Sequence, residues 1–272
     1  HMRRKEFEEA IKFLLDAIHT YDEDAVEIEN AGRTTAALQV WRNLGECYTQ
    51  VQKFRSAEGA FLKALQIQKD GRKLQDMAER LNLAVIGVDK PLLKLITDTS
   101  IADTICRIGK TRAAVGDHPT ALDFFMQALA ILHRGANNDK NLPNQELMEK
   151  RDQLTHTLYC IAEACRATND VDKALAMYEM SIKLRNSNGA DRQDKRLSTH
   201  IHCLSCHVGI GDLCSNSKAY SKAAKKFKEA LSYSAINLVK ESHPMVVMTR
   251  QKLKDAEEAL VTAPPDDTEV AM

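Results

Sequence analysis

The densest run of chemically capable side chains is His200-Ile201-His202-Cys203-Leu204-Ser205-Cys206-His207. Cys203, Cys206 and His207 have the Cys-x2-Cys-His spacing by which c-type haem is attached. That chemistry belongs to export compartments, and nothing else in the chain points to one. A metal site is the second reading. In a helix, His200, Cys203 and His207 share one face and His202 with Cys206 another, both at ligand spacing. Structural zinc wants four closed ligands, usually from two segments, and no second Cys/His pair is evident. The expectation is therefore ordinary helix packing and no cofactor, with His200, Cys203 and His207 as the weak metal candidates.

Other constellations read in the same way. Cys160 and Cys165 bracket the small Ala162 and suit buried thiols acting as small hydrophobes. The chain has 7 cysteines, an odd number without a regular framework, which points to a reducing, cytosolic-type compartment. There is no glycine-rich phosphate loop and no G-x-S-x-G. Carboxylates fall on solvated helix faces, mixed with Lys and Arg at i, i+4. With no strands and no strained loops, little would preorganise a catalytic group, so an enzyme is not expected. Lys218, Lys222, Lys225, Lys226 and Lys228 form a basic run. It suits an acidic partner or lipid head groups, or simply the solvated face of an amphipathic helix.

The elements that carry these residues are helices. Only 11 Gly and 6 Pro punctuate 272 residues, and aromatics make up 5%. Helix formers dominate, and the residues that strands favour are sparse. Basic and acidic residues balance at 38 each, so the net charge is zero. A general nucleic-acid or membrane-surface binder would need an excess of Lys and Arg, so the balance argues against both classes. No apolar run reaches the roughly 18 residues of a membrane span. His1-Met2 has the look of a cloning remnant, and no signal peptide follows it.

The helices repeat. Trp41, Leu44, Gly45 and Tyr48 fall on one helical face, and Ala57, Phe61 and Ala64 on the next. This is W-x2-L-G-x2-Y followed by A-x3-F-x2-A. Small Gly45 and Ala57 let the two axes approach, while Trp41, Tyr48 and Phe61 fill the space around them. The pattern returns with Ile105, Ile108, Gly109 and Arg112 before Ala121, Phe125 and Ala128. It returns again with Leu158, Ile161, Ala162 and Cys165 before Ala174, Tyr178 and Ser181. The fourth copy is His207, Ile210, Gly211 and Cys214 before Ala223, Phe227 and Ala230. In every copy sixteen positions separate the first residue from the alanine. Phe7, Ala10, Leu14 and Ala17 look like the second helix of a repeat whose first helix lies outside the chain. One such pair cannot bury its apolar face alone, so copies must stack.

The spacing between copies is long: 64 residues from Trp41 to Ile105, 53 to Leu158 and 49 to His207. The extra length must enter longer helices or longer connections. Residues 71–88 look helical, Pro91 marks a break, and the stretches from Arg134 to Gln145 and from Asn186 to Asp194 read as loops. We expect one repeat domain over 3–261, with a partial repeat at 3–30 and copies near 37–70, 101–134, 154–187 and 203–236. A C-terminal helix at 244–261 and an acidic, disordered tail at 262–272 complete it.

These residues resemble the tetratricopeptide superfamily, whose diagnostic positions the first copy fills completely. The long period and the Ser242-His243-Pro244 lead-in are similar to the kinesin-light-chain branch. The same tripeptide also reads as a loop with Pro at the first helical position. The resemblance implies an all-α fold, a right-handed α-solenoid of stacked antiparallel helix pairs. It also implies that first helices line a groove for a peptide or partner helix. By register the groove positions are Gln39, Arg42, Glu46 and Thr49; Asp103, Cys106, Lys110 and Ala113; His156, Tyr159, Glu163 and Arg166; and Ser205, Val208, Asp212 and Ser215. Arg42, Lys110 and Arg166 can read carboxylates, Tyr159 can anchor an apolar group, and Glu46 and Glu163 set the mixed sign. The superfamily's chaperone-tail clamp needs Lys and Asn one turn apart on a first helix. Here Arg42 and Glu46 stand there, and Glu46 would repel a carboxylate tail.

The function expected is a cytoplasmic scaffold or adaptor that holds a segment of a partner protein, cytoskeletal or motor-associated by the branch it resembles. A self-assembling module, forming a homo-oligomer, is the alternative, followed by a metal- or ligand-sensing regulator. No nucleic-acid partner is expected.

Overall fold

The computed structural model describes residues 2–23, 31–80, 96–134, 144–186, 197–236 and 239–262. These hold ten helices and no strand: α1 (Met2–Glu23), α2 (Ala31–Gln50), α3 (Phe54–Arg80), α4 (Asp98–Ala114), α5 (His118–Arg134), α6 (Asn144–Ala167), α7 (Val171–Asn186), α8 (Leu197–Asn216), α9 (Tyr220–Ile236) and α10 (Pro244–Thr262). Pairs α2/α3, α4/α5, α6/α7 and α8/α9 coincide with the four sequence copies.

Each pair turns through three residues in the same conformation. Gln52, Gly116, Asn169 and Lys218 occupy identical register and all have positive φ, between 61° and 86°. The amide one residue later donates to a carbonyl five back: Lys53 to Tyr48 at 2.8 Å, Asp117 to Arg112 at 3.0 Å, Asp170 to Cys165 at 2.8 Å and Ala219 to Cys214 at 2.9 Å. This pattern ends an α-helix by satisfying carbonyls that the helix leaves open. Asp117 and Asp170 then cap the following helices by accepting from the amides of Thr120 and Lys173, each at 3.3 Å. The tight turn holds the sixteen-residue offset constant.

The apolar stripes meet as their spacing requires. Ala57, Ala64, Ala121, Ala128, Ala174, Ala223 and Ala230 are buried, as are Phe61, Phe125, Tyr178 and Phe227. Phe61 lies where a Cβ on Gly45 would come within 2.5 Å of its ring, and Phe125 stands in the same relation to Gly109 at 2.6 Å. Phe7, Ala10, Ile11, Leu14 and Ile18 of α1 pack against Leu44, Cys47, Trp41 and Tyr48 of α2. Much of the extra repeat length lies in helix: α3 has 27 residues and α6 has 24. The helical expectation for 71–88 holds through Arg80. Its remainder, the break at Pro91, the loop interiors at 135–143 and 187–194 and the tail at 263–272 lie outside the described residues. Pro244 is the first residue of α10, and His243 Nδ1 accepts from the Met245 amide at 3.2 Å.

The helices group into two compact units, His1–Gln153 and Leu154–Met272, dividing within α6. In a stack of repeats each copy touches its neighbours alone, so no single core binds the whole.

Candidate functional site

In the first unit the groove-register residues are tied to one another. The Arg42 guanidinium on α2 donates to Asp103 on α4 at 2.8 Å and to Ser100 at 3.2 Å. Asp103 accepts from Arg107 one turn on at 2.8 Å, and Arg107 pairs with Glu46 on α2. Two consecutive first helices are thus clamped by an alternating ladder of Arg42, Asp103, Arg107 and Glu46. Burial pushes the Asp103 carboxyl above its ordinary range, and the Arg42 charge opposes that shift. Burial and the neighbouring Arg42 charge push Arg107 down to about 10. Lys110 lies on α4, exposed, and forms no contact ion pair among the described residues. Arg107 was missed in sequence because it falls between the register positions, although its i, i+4 spacing from Asp103 was readable.

In the second unit the equivalent surface is aromatic. His156 and Tyr159 of α6 and His202 of α8 gather, with ring centroids 4.4 Å apart for His156–His202, 6.0 Å for Tyr159–His202 and 6.4 Å for His156–Tyr159. All three are half-buried. Behind them, buried Tyr178 donates its hydroxyl to Glu163, and Arg166 donates to the same carboxylate at 2.6 Å. Burial first, and the Glu163 charge second, push both Tyr159 and Tyr178 well above the usual phenol range, so both stay protonated. Arg166 is therefore already engaged by Glu163. Arg166, Glu163 and Tyr178 support the patch from below. His202 was read only as a metal candidate. Its place beside His156 follows from stacking α8 on α6, which no local pattern reveals.

Three register positions do not reach this surface. Cys106, Ser205 and Val208 are buried at 1%, 8% and 4% exposure. They border the apolar stripe, and small side chains there are covered by the neighbouring helix. Asp212 is held by Lys252 at 2.5 Å, a clamp between α8 and α10.

The histidine–cysteine run is divided among packing roles. Cys203 and Cys206 are buried at 1% and 0%. Cys206 donates to Ser181 at 3.4 Å, and burial pushes its thiol up to about 12. His207 stands 3.6 Å from Glu229 and 6.1 Å from the Tyr233 ring. The His200 side chain lies outside the described residues. Among those described, no three His, Cys, Asp or Glu side chains converge as a metal would require. The 7 cysteines, all among the described residues, form no disulfide. No described helix is long and apolar enough to cross a membrane.

No family model matches the sequence, and no curated protein matches it. Solved structures do match. BtubC (BKLC) from P. vanneervenii is similar over 94% of this chain and 84% of its own, with TM-score 0.60 and 14% identity. A structure of "kinesin light chain nearly identical TPR-like repeats" from Podosopora anserina is similar over 87% and 90%, with TM-score 0.53 and 15% identity. The apo form of RapI is similar over 96% and 71%, with TM-score 0.50 and 13% identity. At these identities the likeness speaks for the fold alone.

Proposed function

We propose that this chain, whose fold is that of the tetratricopeptide-repeat proteins, is a cytoplasmic scaffold or adaptor that holds a peptide or helical segment of a partner protein on its first helices. One observation carries the reading: the half-buried patch of His156, Tyr159 and His202, contributed by two successive first helices. Aromatic groups half out of water, rigidly backed by a hydrogen-bonded Glu163, are what protein interfaces use as anchors. In the first unit exposed Lys110 adds a cation beside a neutralised ladder, which suits a ligand carboxylate. Binding ranks above catalysis in this reading. The odd, unframed cysteine count suits a reducing compartment, and the branch that the sequence motifs resemble makes a cytoskeletal or motor-associated partner the first class to try.

The test is a pull-down from cell lysate with wild type beside Tyr159→Ala and Lys110→Glu, all checked for equal helicity by circular dichroism. Loss of one shared partner from Tyr159→Ala supports the reading. Unchanged capture by both variants overturns it. Light scattering that finds a stable oligomer with no captured partner favours self-assembly instead.

A further inference from the structure

We propose that the cleft between α9 and α10 binds an acidic segment of a partner protein, apart from the first-helix surface. The cleft encloses about 620 Å³, within the roughly 300–1,000 Å³ of ligand sites. Its apolar part is Ala224, Tyr233 and the half-exposed Leu260 of α10. The carboxylates that face it are already neutralised. Glu229 pairs with Lys226 at 2.8 Å, and Glu257 pairs with Lys228 at 2.8 Å.

The cations beside it are not. Lys225 lines the cleft, Lys222 lies one turn before it on α9, and Lys218 sits in the turn that precedes α9. All three are exposed and form no contact ion pair among the described residues. Excess positive charge therefore borders a recessed apolar surface. A segment rich in carboxylates and carrying one aliphatic side chain matches both features. A lipid surface matches less well. A flat layer of head groups would not reach the recessed Ala224.

The probe is the fluorescein-labelled synthetic peptide Glu-Glu-Leu-Glu-Asp-Leu-Glu-Glu, titrated with the full chain and read by fluorescence anisotropy. We expect saturable binding that weakens with added salt and falls at least about tenfold in Lys222→Glu/Lys225→Glu at unchanged helicity. Lys63→Glu, exposed on α3 in the other unit, should leave it unaltered. Absence of binding, or equal binding by the double variant, overturns the proposal. So does binding to phosphatidylserine vesicles without binding to the peptide. Binding that appears only after residues 263–272 are removed also overturns it, in favour of the chain's own acidic tail.

Discussion

The ring of Tyr178 on α7 rests against Gly209 of α8, so closely that a Cβ there would stand 2.5 Å from the ring Cζ. In the other three copies the aromatic residue of the second helix lies over a glycine of its own first helix: Phe61 over Gly45, Phe125 over Gly109 and Phe227 over Gly211. The third copy has Ala162 at that place, fully buried. Its aromatic finds room on the next helix instead, and its hydroxyl then reaches Glu163.

Gly209→Ala should therefore overpack the contact and destabilise the fold by about 1–3 kcal/mol. Gly59, exposed within α3 with nothing near a Cβ, is the control, and Gly59→Ala should stabilise by up to about 1 kcal/mol. Urea denaturation followed by circular dichroism measures both. A neutral Gly209→Ala would mean that the Tyr178 ring is free to move aside.

The inter-helix turns predict gains rather than losses. Gln52, Asn169 and Lys218 hold φ of 61–62° in positions that favour glycine. Each change to Gly should raise stability by up to about 1 kcal/mol, least for Asn169 because Asn tolerates this conformation best. Thermal melts of the three single variants give the order.

Asp103 sits between two guanidinium groups, so its loss should cost more than the loss of either. Asp103→Ala leaves Arg42 facing Arg107, while Arg42→Ala leaves the Arg107–Asp103 pair intact. A double-mutant cycle on Arg42 and Asp103 should give a coupling of about 1 kcal/mol or less, since both side chains are 20–23% exposed, and high salt should reduce it. Zero coupling in low salt would remove the ladder as a clamp between α2 and α4.

His207 makes stability depend on pH. Burial lowers its pKa below 6.5, partly opposed by the Glu229 charge. A histidine with a depressed folded value contributes stability above its unfolded value, and loses it as pH falls through 6.5 toward the folded value. Wild type should therefore lose more melting temperature than His207→Gln between about pH 7.5 and pH 5.5. Parallel curves for the two proteins would refute this contribution.

Much of the fold was legible because its determinants are local. The offset between Trp41 and Ala57, kept in all four copies, reflects one turn geometry, and that geometry is visible at Gln52, Gly116, Asn169 and Lys218. Individual groove residues were less legible. Register arithmetic names positions on one helix, but whether Arg42 is open or engaged depends on Asp103, 61 residues away. Cys106 and Val208 failed for the same reason, because a neighbouring helix covers them. The His200–His207 run looked like ligand chemistry since its spacing is also that of a helix's packing faces. Cys203 and Cys206 point into the core.

The most direct test of the account is photo-crosslinking in cells from a benzoylphenylalanine placed at Tyr159, compared with one at Met180. Both lie in the second unit, but Met180 is 49% exposed on the second helix of the same pair. The account predicts a discrete adduct with a partner protein from position 159 and none from 180. An adduct from 180 with none from 159 would contradict it, because the partner would then be held on the second helices.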